Sequence, residues 1–370
     1  MAPGRQGCRL RTCRALYSTA IRWGGVMLET VQALMVVLVS LWAIPALWFH
    51  RPRRLWLRYL PLGCWVLVMT LVLSLTSRGE AIDALLCFLA AFGPLLLWWR
   101  GVLPKGNCDW ADDMAYTTTG TVDGDVLRLQ RVRCFEWRSA DDYDIRWQSR
   151  EYALSTLQSV DMFLSFWGHR SIAHMLVSFG FADGRYSTWS VEIRRARGGD
   201  YSAIAGFFKH FELNIVASEE QDIVKVRTNH RDEDMYLYRT RLTPAAGRAL
   251  LLGYVEVANR LAVSPRFYHT LHANCTNVVF RLMQRIRPDL RSDIRLLLSG
   301  FLDNYVYHQG GLQPGYSLAE LKRLGRITER ARAVTGDEDF SACIRKGVPG
   351  CEDEYKAGRH DQAAGVTAPF

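Results

Sequence analysis

Apolar positions along the chain follow two regimes. Before about residue 100 they run together; beyond it they alternate or recur at helical spacing among charged and aromatic residues. Three continuous runs stand out: Val31–Phe49, Tyr59–Thr76 and Ala84–Trp99. Crossing the hydrocarbon takes ~20 residues of helix, with ~17 a practical minimum. The first two runs meet this, Pro61 being tolerated in an opening turn. The third reaches it by taking in Ala81, Ile82 and Asp83, giving a span over 81–99. Trp48, Trp56, Trp98 and Trp99 fall where interfacial aromatic belts are expected. Because further spans follow, the first run reads as an anchor and not as a cleaved leader.

The pattern then turns to that of a domain with its own core. Asp123-Gly124 and Asp183-Gly184 are turn signals between alternating segments. They predict hairpins over Thr121–Trp137 and over Ala173–Phe181 with Tyr186–Ile193. Val160–Phe166, Ile223–Thr228 and Met235–Leu242 read as strands, Tyr201–Phe211 as a helix, and Asp141–Glu151 as a charged loop. Thr243-Pro244 is a strong helix start, with Thr243 as N-cap and Pro244 at the first helical position. That helix is expected to reach about Ala262, and Asn274 to cap another over Cys275–Ile286. Leu296–Tyr307 and Ser317–Val334 are further helical patterns. The expected organisation is a basic N-terminal tail (1–26), transmembrane helices (27–100), a polar linker (101–120), an α+β domain (121–335) and a disordered polar tail (336–370). There are no internal repeats.

Net charge is +9. Much of the excess lies beside the spans, at Arg5, Arg9, Arg11, Arg14, Arg22, Arg51, Arg53, Arg54 and Arg58, which favours anionic lipid headgroups over nucleic acid. No Gly-rich phosphate loop or nucleic-acid module is present. Charge does not orient the anchor. With the N-terminus inside, Arg5, Arg9, Arg11, Arg14, Arg22 and Arg78 balance Arg51, Arg53, Arg54, Arg58, Arg100 and Lys105 outside. A start at Met27 would tip the balance the other way. The nine cysteines show no disulfide framework; Cys343 and Cys351 are close enough in sequence to pair in an oxidising compartment.

Candidate chemistry concentrates at His269–Cys275, HTLHANC. His269, His272 and Cys275 fit no standard zinc spacing, so no metal or other cofactor is expected. An Asn274 cap would instead set Cys275 in a helix's first turn, where unpaired amides and the macrodipole stabilise a thiolate or an oxyanion. The required base is best supplied by His174, which interrupts an apolar strand; His169, His269 and His272 compete. Glu192, on the adjoining predicted strand, could orient the ring. The plain alternatives are a small buried cysteine and a histidine satisfied by a backbone carbonyl. Asn274-Cys-Thr is also a glycosylation sequon, a pattern common by chance.

From about Val122 to Ile327 the chain resembles the bacterial family of the Lnb N-terminal periplasmic domain, typified by a lipoprotein N-acyltransferase. The resemblance rests on FEWRS from Phe135, Asp142-Tyr-Asp, IAHMLVSF from Ile172, SVEIR from Ser190, DMYLY from Asp234, FYHTL from Phe267, Asn274-Cys-Thr and Leu298-Ser-Gly. It departs from the family pattern at Met175, where Thr is frequent, and at His269, where Asn is frequent. The resemblance implies a permuted papain-like α+β domain with an antiparallel sheet and packed helices, similar in layout to lecithin:retinol acyltransferase-type enzymes. It also implies a bacterial inner-membrane protein with its domain in the periplasm, and Cys275 and His174 as nucleophile and base. The implied activity is acyl transfer from a phospholipid through a Cys thioester to an amine, plausibly a lipoprotein N-terminus. A cysteine amidase or peptidase of the envelope, and a non-catalytic scaffold, remain open as alternatives.

Overall fold

The computed structural model describes residues 6–50, 54, 57–199, 201–336 and 338–351, with side chains from residue 25 onward. The chain divides into two units, 1–103 and 104–370.

The first unit is three helices: α1 (Gln6–Phe49), α2 (Leu60–Ser77) and α3 (Ala81–Gly101). Each contains a stretch long and apolar enough to cross a membrane, in α1 from Gly25 to Phe49. The expected basic tail is helical from Gln6 onward; its first five residues, with Arg51, Arg53 and Trp56, lie outside the described residues. Val36, Trp65, Met69, Val72 and Phe88 pack between the helices, while residues such as Leu41, Leu67 and Leu97 face outward. Apolar-on-apolar packing gains little in lipid, so polar links matter more. Gln32 donates to the Ala81 carbonyl (2.9 Å) and Trp65 to Ser40 (3.1 Å). Trp48, Trp98 and Trp99 join His50 and Tyr59 in ring contacts, as interfacial anchors do.

The second unit is α+β. Its strands are β1 (Thr119–Asp123), β2 (Val126–Arg133), β3 (Glu136–Trp137), β4 (Tyr143–Asp144), β5 (Trp147–Ala153), β6 (Leu157–Phe166), β7 (Ala173–Phe181), β8 (Tyr186–Arg194), β9 (Glu212–Ser218) and β10 (Asp234–Arg239). Its helices are α4 (Glu220–Lys225), α5 (Pro244–Val263), α6 (Cys275–Ile286), α7 (Leu302–His308), α8 (Leu318–Gly325), α9 (Thr328–Arg332) and α10 (Phe340–Arg345). The main sheet runs β1-β2-β9-β8-β7-β6-β10, with β5 also on β2. It is antiparallel except at β2–β9, where Arg133 and Ser218 pair in parallel.

Strand alternation gives the sheet two different faces. Val160, Met162, Met175, Val177, Trp189 and Val191 point to one, under α5 and α6. Phe163 and Leu176 point to the other, against Ile223 and Val224 of α4 and Ile327, Ala331, Phe340 and Ile344. This second face also carries charge. Asp161 accepts from Arg239 (2.5 Å) and Arg345 (2.8 Å), and Arg345 also bonds Glu220 (2.7 Å). Arg133 and Trp137 both donate to Asp222.

Several sequence expectations are corrected. Asp141–Glu151 is not a loop. β3 pairs β4, and β5 pairs β2, with Glu151 meeting Arg128 on the open face and Arg150 turned the other way onto Glu219. Ile223–Thr228 is helical, because Glu220 and Asp222 start α4 and find buried cationic partners. Tyr201–Phe211 holds only one tight turn, Ala205–Phe207. Leu296–Tyr307 begins as two such turns before α7. The linker is packed into the domain, its Lys105 and Gly106 amides donating to Glu212. The expected disorder from Gly336 does not begin there, since α10 buries Arg345 and Cys351 lies in the core; residues beyond Cys351 lie outside the described part. No disulfide joins Cys343 and Cys351.

Candidate functional site

α6 begins where the sequence places a cap. The Asn274 side chain accepts from the Asn277 amide (2.7 Å) and donates to the Thr270 carbonyl (2.7 Å). One residue therefore both stops the preceding loop and starts the helix. Cys275 follows as the first helical residue, half-buried. The opening amides of a helix lack intrahelical acceptors, so this end favours negative charge.

β7 and β8 pair from Gly180↔Tyr186 to Leu176↔Ser190 and no further. Beyond that point β7 stays with β6, through Ala173↔Phe166, and β8 stays with β9, through Arg194↔Glu212. The strands part at His174, and the thiol of α6 meets the ring in this gap. The His174 ring and the Met175 amide both act on the sulfur at close range, each favouring its charged form. The Thr276 hydroxyl lies 3.9 Å from Sγ.

Behind the ring is a buried polar chain. His174 Nε2 lies 2.7 Å from Ser190 Oγ and 3.1 Å from Glu192 Oε1. Ser190 donates to the same carboxylate oxygen (2.6 Å), and Arg227 donates to it at 3.0 Å. Arg227 in turn faces Glu233 at 3.7 Å, and Ser165 donates to Glu233. With Nε2 committed to Ser190 and Glu192, Nδ1 is the ring atom left for the sulfur.

The charges reinforce one another. Burial disfavours an imidazolium at His174, but Glu192 and the bond to Cys275 outweigh it and raise the pKa from 6.5 to about 9. Burial likewise disfavours a thiolate, but the His174 bond and charge, with the Met175 amide and Thr276, bring Cys275 below its ordinary value of 9.0. Glu192, despite its burial, sits well below the usual carboxylate range because of His174, Arg227 and Ser190. Each shift favours the charged form, imidazolium at His174 and thiolate at Cys275, and a thiolate is the form that attacks carbonyl carbon. Burial, followed by the negative charge at Cys275, pushes up the phenols of Tyr201, Tyr254 and Tyr268, which stand around the sulfur.

The structure therefore brings together Cys275, His174 and Glu192, drawn from α6, β7 and β8. The competing histidines do other things. His269 and His272 stack on each other (centroids 4.7 Å) in the loop before α6, and His169 accepts from the Ser171 amide (3.2 Å). Among the described residues no three His, Cys, Asp or Glu side chains converge as metal ligands. Sequence reasoning missed Ser190 and Arg227. Ser190 was findable: two residues before Glu192 on a strand, it must share its face. Arg227 sits in the stretch misread as a strand.

Residues 143–300 match the sequence family described as the Lnb N-terminal periplasmic domain. The match takes in every residue of the chain from Ser165 to Cys275 described above. No curated protein and no solved structure matches the chain.

Proposed function

We propose, from the premise that this inner-membrane protein carries an Lnb N-terminal periplasmic domain, that its activity is acyl transfer through a thioester on Cys275. The observation that carries the reading is the Cys275–His174 pair at a helix start, with Glu192 behind the ring. The thiolate attacks a phospholipid ester carbonyl; the C–S bond forms and the ester C–O bond breaks. His174 gives its proton to the departing alkoxide, releasing a lysophospholipid. An amine, such as a lipoprotein N-terminus, then attacks the thioester. The C–N bond forms, the C–S bond breaks, and His174 takes the amine's proton as the thiolate returns. Glu192 orients the ring and stabilises its charge.

The surroundings favour a lipid donor. Trp167, whose ring lies 6.4 Å from His174, is 40% exposed, and Ile172, Tyr201, Phe207, Leu271 and Phe301 are exposed too. Exposed apolar side chains in the segments that flank His174 and precede Cys275 suit an amphiphilic substrate. The three membrane helices keep the domain beside its donor, raising the effective concentration of both reactants.

The test is intact-mass spectrometry of the full chain in detergent after exposure to phosphatidylethanolamine vesicles. A hydroxylamine-labile fatty-acyl adduct on Cys275 is expected, absent from Cys275→Ser and His174→Ala at unchanged abundance. A peptide-derived adduct would instead assign an amidase or peptidase. Full cellular function in both variants would leave only a scaffold.

A further inference from the structure

On the face of the sheet under α5 and α6 lies a cavity of about 200 Å³. Its walls are almost entirely apolar, with Met162 and Val177 from β6 and β7, Leu250 from α5, Val279 and Met283 from α6, and Leu296 from the turn before α7. Two further lining residues fix its position: Met175 and Thr276. Each is the chain neighbour of a site residue, His174 or Cys275. The Met175 amide acts on the Cys275 sulfur at close range, and the buried Thr276 hydroxyl lies 3.9 Å from it. The cavity thus begins one residue from the thiol on both elements that form the site. From there it follows one side of α6, where Thr276, Val279, Phe280 and Met283 recur at helical spacing.

The polar groups among its lining are already spent. Arg287 donates to the Gln309 carbonyl (3.3 Å), the Arg241 amide to that of Gly311 (2.9 Å) and its guanidinium to that of Gly310 (3.4 Å). An occupant finds mostly apolar contact, and polar lining groups that are already bonded within the protein. A headgroup or peptide would lose its hydrogen bonds to water there without replacement. A straight hydrocarbon loses none.

We infer that this cavity receives the hydrocarbon tail of the acyl group carried on Cys275, and that Val279 and Met283 set the chain length the enzyme accepts. The inference rests on the thioester reading above and adds to it a binding site and two specificity-determining residues. Each methylene kept out of an apolar site costs about fourfold in binding. A side chain that excludes three or four methylenes should therefore lower loading of a long chain by on the order of a hundredfold and leave a short chain untouched.

The experiment follows thioester formation on the full chain in detergent with p-nitrophenyl butyrate and p-nitrophenyl palmitate, read by nitrophenolate release and intact mass. Wild type should favour palmitate. Val279→Phe and Met283→Phe should lose palmitate selectively and keep butyrate within about threefold. Leu296→Ala, which enlarges the cavity, should shift preference to longer chains. If the Phe variants melt as wild type and load palmitate at the wild-type ratio, the cavity assignment is overturned while the thioester stands. If they lose both esters, Leu296→Ala decides, and an unchanged chain-length profile there overturns the assignment. If wild type forms no thioester with either probe, the proposed function fails first, and the cavity assignment with it.

Discussion

Glu192→Gln isolates the charge behind the ring with little change of shape. In the native site the carboxylate lies 3.1 Å from His174 Nε2, both side chains being about nine-tenths buried. It is the largest influence raising the ring pKa, from 6.5 to about 9. At ~1.4 kcal/mol per unit, that rise is on the order of 3 kcal/mol in favour of imidazolium. An amide removes the charge and leaves burial, joined by the guanidinium of Arg227 3.0 Å from the altered group, now balanced by Glu233 alone; both act against a charged ring. The imidazolium then loses its proton well below pH 9, and the thiol loses the positive partner that lowers its own pKa. At pH 7 the thiolate–imidazolium population should fall roughly 10- to 100-fold. The assay is alkylation of Cys275 by iodoacetamide from pH 5 to 10, quantified on the Cys275 peptide so that the other cysteines do not interfere. Wild type should react on a plateau that begins below pH 9. Glu192→Gln should show no plateau and climb only as an unassisted thiol ionises. A variant that melts normally and alkylates at pH 7 within twofold of wild type would refute the electrostatic account.

Arg345→Met strips the cation shared by buried Asp161 and Glu220 and should cost about 3–5 kcal/mol, measured as a lowered denaturation midpoint by Trp fluorescence. Asn274→Ala removes the cap of α6 and the brace to Thr270; about 1 kcal/mol of stability should go, with slower thioester formation as the visible consequence. Gly300→Ala puts a Cβ 2.0 Å from the Arg170 carbonyl, so the segment carrying Ala173 and His174 must shift; stopped-flow acylation should slow even where the melting curve is preserved.

Local chemistry made some of the fold readable. The Asp-Gly turns, the Thr243-Pro244 start and the Asn274 cap each specify backbone geometry within a few residues, and β7–β8, α5 and α6 form where they indicate. Ile223–Thr228 misled because its β-branched residues suit either state; the deciding terms, Arg133 on Asp222 and Arg345 on Glu220, come from 89 and 125 residues away. Tyr201–Phe211 misled for the opposite reason: its apolar residues form no continuous buried helix face, for Ala205 and Phe211 are buried while Tyr201, Ile204 and Phe207 stay exposed. Cys275, His174 and Glu192 could be named because a nucleophilic thiol needs a base and the base an orienting group. Their meeting in one gap could not, since it depends on where β7 and β8 stop pairing.

That early parting makes the sheet a partition. Proton handling, through His174, Ser190, Glu192 and Arg227, lies on the side of α4, and the mostly apolar hollow lies beneath α6 on the other. Substitutions deeper along α6, at Val279 or Met283, reshape the hollow without touching a group that sets the ionisation of the pair. A lineage could therefore exchange one kind of substrate for another by drift on a single helix, keeping its reactive machinery intact throughout.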